Sequence, residues 1–294
     1  MWREEALFFG GWRPRREETP LSLIGVPLDE TVSFNPGTRF APKFIRMVSE
    51  SLEWYSFYSE SDAGELGVYD EGDITVMPGN IRGTLGLVED ALGELREEGR
   101  IPIMVGGEHT VTLGAKRIIG DDTLLIVFDA HLDLRDEYLG SKLNHATVMR
   151  RLLEFVPGEN IVFVGTRAAC GEELEWARKS AVKIITSRRI WLYGPGETVR
   201  RLERMVSKAN KVYVSIDMDV FDPAYAPGVG TPEPLGLDPH SVVQILTSII
   251  GENLVGMDVV ETNPLCDVGY ATCSLAARLI IEVAAKVRLW WRKK

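Results

Sequence analysis

The run Leu124-Leu125-Ile126-Val127-Phe128, followed at once by Asp129-Ala130-His131-Leu132-Asp133, decides how this chain is read. Unbroken apolar residues that stop on a polar cluster describe a strand buried on both faces, with its carboxyl end opening onto something charged. Working outward, similar short apolar or β-branched runs predict strands at 21–26, 101–105, 161–164, 183–186, 212–216 and 254–259. Between them, helical periodicity predicts helices at 41–49, 84–98, 146–155, 198–209, 239–250 and 274–291. Strands alternating with helices imply crossover connections, hence a mostly parallel central sheet covered on both faces in a three-layer α/β/α arrangement. No linker, low-complexity tract or repeat divides the 294 residues, so one domain over 1–294 is expected.

Each polar cluster begins where a predicted strand ends, and in open α/β sheets ligands sit outside the carboxyl ends of the strands. In an extended backbone Asp129, His131 and Asp133 alternate onto one side. Asp217 and Asp219 do the same after 212–216. The third cluster, Gly106-Gly107-Glu108-His109, follows 101–105, its glycines read as allowing a sharp turn that aims His109 inward. Six carboxylates and imidazoles meeting in one crevice would repel or desolvate one another without cations between them. Hard oxygen donors mixed with imidazole favour manganese. Zinc is the competitor, but its catalytic sites usually hold one ion with three protein ligands. Two ions account for six ligands and suit hydrolysis of a substrate clamped between them.

Composition narrows the partners. A formal net charge of -10 disfavours nucleic acid and suits a cationic small molecule. The first twenty residues lack the apolar run of a signal peptide or membrane span, so a cytoplasmic protein is expected. Cys170, Cys266 and Cys273 show no ligand or redox spacing and fit a reducing compartment, with a Cys266–Cys273 disulfide disfavoured. The basic ending Arg292-Lys293-Lys294 reads as a complement to the last helix's dipole, and His240 as a surface residue.

At these residues the chain resembles the ureohydrolase family, which comprises arginases, agmatinases and their relatives. The likeness runs in order through Gly25-Val26-Pro27, Pro36-Gly37-Thr38-Arg39-Phe40, the clusters at 106–109 and 129–133, SIDMDVFDPAYAPGVGTPEP at 215–234, and DVVETNP at 258–264. It implies an arginase-like fold and two manganese ions per subunit. His109 and Asp133 would bind one ion, His131 and Asp219 the other, with Asp129 and Asp217 bridging. It further implies that Glu261 accepts the substrate guanidinium, that His145 contacts substrate and handles protons, and that Asp133 passes a proton to the departing amine. Assembly as a homo-oligomer, a trimer or hexamer, is implied as well.

Agmatine, cleaved to putrescine and urea, is the expected substrate. Arginases carry Asp-Ile-Asn after the aspartate-histidine motif, whereas this chain has Asp133-Leu134-Arg135, which argues against arginine. Arg135 and Lys142 are expected to face solvent; either one pointing inward would favour a carboxylate-tailed substrate such as guanidinobutyrate or formiminoglutamate. Aminopropylagmatine is a further alternative. A different binuclear enzyme, a deacetylase or phosphoesterase, leaves Glu261 and the 215–234 segment unexplained, and a catalytically silent binding protein would be expected to have lost ligands.

Overall fold

Eight strands form one sheet in which every neighbouring pair is parallel. In the computed structural model, residues 7–291 are described; the first six residues and the basic ending Arg292-Lys293-Lys294 lie outside the described residues. The strands are β1 (Leu21–Val26), β4 (Tyr69–Asp73), β5 (Ile101–Gly106), β6 (Thr123–Phe128), β7 (Ile161–Thr166), β8 (Lys183–Thr186), β9 (Lys211–Asp217) and β10 (Leu254–Val260). Their spatial order is β4-β1-β5-β10-β9-β6-β7-β8, and a separate two-residue hairpin pairs β2 (Tyr55–Ser56) with β3 (Ser61–Asp62). The helices are α1 (Ala41–Ser49), α2 (Ile81–Glu97), α3 (Val148–Leu152), α4 (Gly171–Lys179), α5 (Ser187–Tyr193), α6 (Pro195–Val206), α7 (Pro239–Ile249) and α8 (Ala271–Trp291).

Alternation along the central strands divides the core into two layers. Ile126, Phe128, Val214 and Ile216 join Ile45 of α1, Leu202 of α6, Ile245 of α7 and Ile280 of α8 on one side. Leu125, Val127, Phe163 and Tyr213 meet Leu92 of α2, Leu152 of α3 and Ala177 of α4 on the other. Strands β5, β6, β7 and β10 are buried along their whole length, which is why they read as predominantly apolar runs. No described helix is long and apolar enough to cross a membrane.

One predicted helix comes out differently, and one strand was missed. The helix expected over 146–155 is a 3-10 turn, His145–Thr147, followed by the short α3. The edge strand β4 was not predicted, because its sequence Tyr-Asp-Glu-Gly-Asp is acidic and pairs on one side only.

Candidate metal centre and its cavity

The order β5-β10-β9-β6 brings four carboxyl ends side by side, and each supplies part of one cluster: His109 after β5, Glu261 after β10, Asp217 and Asp219 at β9, and Asp129, His131 and Asp133 after β6. Two groups of side chains offer nitrogen and oxygen atoms within 4.8 Å of one another: His109, Asp129 and Asp217, and Asp129, His131 and Asp219. Asp129 belongs to both. Asp133 joins the first group through its contact with His109, Nδ1 to Oδ2 at 3.1 Å.

The convergence is real, but its local cause is not the strand alternation expected. β6 ends at Phe128, and Asp133 sits in a loop at φ 50. Asp219 lies in the 3-10 turn Met218–Val220, and its own amide donates to the capping side chain of Asp217, N to Oδ1 at 2.9 Å. Nor do the glycines before His109 serve a left-handed turn. A Cβ on Gly107 would stand 1.7 Å from the Leu28 carbonyl oxygen, and one on Gly106 2.7 Å from Val260 Cγ1. Glycine here lets the β1 and β5 ends pass in contact, sealed by Gly107 N to Val26 O at 2.8 Å.

The protonation of His109 follows from its partners. Ser215 donates its one hydroxyl proton to Asp258, Oγ to Oδ1 at 2.6 Å, so toward His109 Nε2 at 3.0 Å the serine accepts. The Nε2 proton being committed, neutral His109 presents a bare Nδ1 lone pair. That atom is buried, makes no hydrogen bond, and faces Oδ2 of Asp129 at 3.2 Å, of Asp133 at 3.1 Å and of Asp217 at 3.3 Å. A lone pair ringed by three carboxylate oxygens needs a cation, and the donor set is that of a hard divalent metal.

With no metal ion among them, the carboxylates would meet the same need by holding a proton on His109. Burial alone would lower the pKa of His109, but Asp129, Asp133 and Asp217 outweigh it and raise it well. Burial resists ionisation of Asp129, yet His109 and His131 hold it below the usual carboxylate range. Asp133 is pushed up to about 7 by burial and by Asp129, and Asp217 rises well above its ordinary value through burial and the charges of Asp219 and Asp129. His131 Nδ1 lies 2.9 Å from Asp219 Oδ2, and Asp219 and Asp129 raise its pKa against the burial that opposes them.

Above the cluster opens a cavity of about 500 Å³, lined by His131, Asp133, Asp217, Asp219 and His145 among others. His109, Asp129 and Glu261 are buried and do not line it. Glu261, at φ 60, accepts from the His109 amide, N to Oε1 at 2.7 Å, and burial pushes its pKa up to about 8. His145 is held neutral: burial first, then positive charge at the neighbouring cluster, lowers its pKa to about 4. His240 is exposed and touches the Tyr58 hydroxyl.

One expectation is corrected. Lys142 does face solvent, 3.3 Å from Asp136, but Arg135 lines the cavity, its guanidinium 5.0 Å above the Tyr138 ring and 4.0 Å from Glu173. Sequence reasoning also passed over Arg167, Glu173, Thr231 and Glu233, all on the cavity wall. Arg167 follows β7 at the same edge, so the strand-end rule that found His109 pointed to it too. Its guanidinium donates to six carbonyl oxygens, those of Asp219, Val220, Phe221, Glu233, Pro234 and Gly165, and so staples the segment after Asp217 to the rim.

A parallel sheet with this carboxylate and imidazole cluster at its carboxyl edge defines the class: an α/β protein with a candidate binuclear metal centre. The sequence model of the arginase family matches residues 19–285. An agmatinase of Bacillus subtilis is 36% identical over 278 residues, covering 92% of this chain and 93% of its own. The N(1)-aminopropylagmatine ureohydrolase of Thermococcus kodakarensis is 37% identical over 248 residues, covering 83% of each chain. The crystal structure of the agmatine ureohydrolase of Thermoplasma volcanium superposes with a TM-score of 0.86 at 36% identity, covering 94% of this chain and 92% of that one. The chain belongs to the arginase family.

Proposed function

We propose that this enzyme hydrolyses agmatine to putrescine and urea with two manganese ions, His109 and Asp133 holding one, His131 and Asp219 the other, and Asp129 and Asp217 between them. The observation that carries the reading is the pair of ligand groups sharing Asp129 at the floor of one cavity. When bound, the ions supply activated water and stabilise the charge that builds on the guanidinium carbon. The protein does the rest. Glu261, buried after β10 with Oε1 held by the His109 amide, is the acceptor proposed for the planar guanidinium, which must reach past the residues lining the cavity to meet it. Asp133, on the cavity wall beside the cluster, takes the proton released by water and returns it to the departing amine nitrogen. His145 on the cavity wall, neutral and hydrogen-bonded through Nε2 to Ser33 at 3.0 Å, contacts the substrate near the scissile bond.

For the substrate's far end, Glu233 offers a carboxylate on the wall whose nearest cation is His131 Nε2 at 3.9 Å. It suits the second positive charge of agmatine. Arg135 on the same wall supports the second reading, a carboxylate-tailed guanidinium compound such as guanidinobutyrate, although Glu173 beside it offsets its charge. The test is urea release with added manganese across agmatine, arginine, guanidinobutyrate, formiminoglutamate and aminopropylagmatine. We expect agmatine to have the highest kcat/KM; preference for any other overturns this choice. Asp129→Ala and Asp217→Ala should lose both bound metal and urea release, and retained activity would refute their roles. The free cysteines fit a cytoplasmic setting, and exposed Phe57 and Trp191 offer apolar surface for a homo-oligomer, a trimer or hexamer.

A further inference from the structure

We infer that Thr31 is a positioning residue that sets His145 against the cavity, an inference that rests on the reading of His145 as substrate-facing. The loop after β1 runs beneath the turn that carries His145, and the contacts between them follow a chain of command. At its base is Glu108, fully buried and not counted among the metal ligands. Its carboxylate accepts from the Thr31 amide at 2.6 Å and from the Thr31 hydroxyl. A hydroxyl has one proton to give, and Thr31 gives it to Glu108, which leaves its lone pairs for other donors. One is taken by the His145 amide, N to Oγ1 at 3.1 Å. The Thr31 carbonyl holds the neighbouring side chain, Asn144 Nδ2 to O at 3.3 Å, and Asn144 in turn caps the turn through the Ala146 amide at 3.0 Å.

Two residues further along the loop, Ser33 meets the imidazole itself, Oγ to Nε2 at 3.0 Å. The backbone and the ring of His145 are therefore both hung from one short segment, lying 112 to 114 positions away in sequence. The far end of that segment is fixed independently: Asn263 Nδ2 donates to Asn35 O at 2.9 Å and to Pro36 O at 3.2 Å, and Asp29 accepts from the Gly37 amide at 2.9 Å. With both ends anchored, the Thr31 hydroxyl is the link that passes the position of the buried Glu108 to the histidine. Removing it leaves His145 N–H without its acceptor and lets the ring pivot on Ser33 alone.

The experiment is a mutant cycle on the full-length manganese-loaded enzyme, using urea release from agmatine. Thr31→Val keeps the shape and deletes the hydroxyl; it should lower kcat/KM by about tenfold, the loss expected for one displaced hydrogen bond at a catalytic group. Thr31→Ser restores the hydroxyl and should recover activity to within about threefold. Repeated in a His145→Asn background, Thr31→Val should change kcat/KM by less than about twofold, because the group it acts through is gone. Additive losses would overturn the inference, as would Thr31→Ser behaving like Thr31→Val. If Thr31→Val is too unstable to purify, Thr31→Ala takes its place in the same cycle with the same criterion. Should His145→Asn by itself leave kcat/KM unchanged, it is the reading of His145 that fails, and the two failures are told apart.

Discussion

Replacing Asp258 by asparagine perturbs the chain of hydrogen bonds that gives His109 its protonation. Asp258 is fully buried in β10 and accepts from two hydroxyls, Tyr213 Oη at 2.9 Å and Ser215 Oγ at 2.6 Å. Hydrogen bonds to a charged acceptor contribute about 1.5–3 kcal/mol each, so the pair stabilises the fold by roughly 3–6 kcal/mol before desolvation is counted. Burial, which raises the pKa of Asp258, offsets part of this. An asparagine keeps one acceptor oxygen and turns a donor toward the other hydroxyl, so a net loss of about 2 kcal/mol is expected. Tyr213→Phe removes one hydroxyl, and the double variant should be about 1 kcal/mol more stable than the sum of the single losses predicts. The assay is urea denaturation of all four proteins, run beside manganese titration. If Ser215 turns its hydroxyl proton away from Asp258, His109 Nε2 loses its acceptor, and metal affinity should fall about 10- to 100-fold. A stability loss under about 0.5 kcal/mol, or additive single losses with unchanged metal affinity, would refute the reasoning.

Two further predictions lie outside the centre. Arg46 is buried and forks onto Asp70, Nε to Oδ2 at 2.7 Å and Nη2 to Oδ1 at 2.9 Å, so Arg46→Met leaves a buried carboxylate uncompensated and should cost about 3–5 kcal/mol in denaturation. The specific activity of the folded fraction should not change. Glu282 has its pKa raised by burial, which the Ser56 hydroxyl and Arg278 at 3.7 Å only partly oppose. A carboxyl raised on folding favours the native state below its unfolded pKa and loses that contribution as pH rises through the folded one. The melting temperature of Glu282→Gln relative to the parent should therefore be higher at about pH 8 than at about pH 4, and the opposite trend would refute the assignment.

How much could be read from the chain depended on how local the cause was. β6 and β9 announced themselves because both faces of a central parallel strand are buried, so apolar residues dominate both runs. The acidic β4 escaped because its stability comes from β1 on one side and from Arg46 on Asp70, a partner 24 residues away. α4 escaped as well: of its nine residues only Glu173 and Ala177 are buried, too few to show a period. In the site, His109, Asp129, His131, Asp133, Asp217 and Asp219 stood out as ligand-type side chains directly after strands. Asp258 did not, since an acid inside a strand looks like an interruption until Tyr213 and Ser215 are seen opposite it. Arg135 was turned the wrong way because a surface cation is the commoner case, and only the Tyr138 ring and Glu173 explain why this one folds inward.

The floor and the rim of the cavity answer to different constraints, and that difference locates substrate choice. Two unit charges 3 to 4 Å apart at an effective dielectric of about 20 interact by roughly 4–5 kcal/mol, so carboxylates crowded round His109 Nδ1 are tolerable only with positive charge among them. Asp133 and Glu261 add left-handed backbone, at about 1–3 kcal/mol each. Such a floor persists only where the frame over-determines it, and here the frame is the close approach at Gly107, the six carbonyls on Arg167 and the Ser215–Asp258 link. Any change there is felt by the whole cluster, so the floor can encode the bond that is broken but has little freedom to encode the rest of the substrate. Arg135, Tyr138 and Glu233 sit on the wall with side chains partly open to solvent, where a substitution alters charge and shape without disturbing a ligand. Relatives named for agmatine and for aminopropylagmatine match this chain about equally, at 36% and 37% identity, so overall likeness does not choose between those substrates. On the function proposed above, the substrate's far end is to be sought on the wall and not in these motifs, in the balance of Glu233 against Arg135.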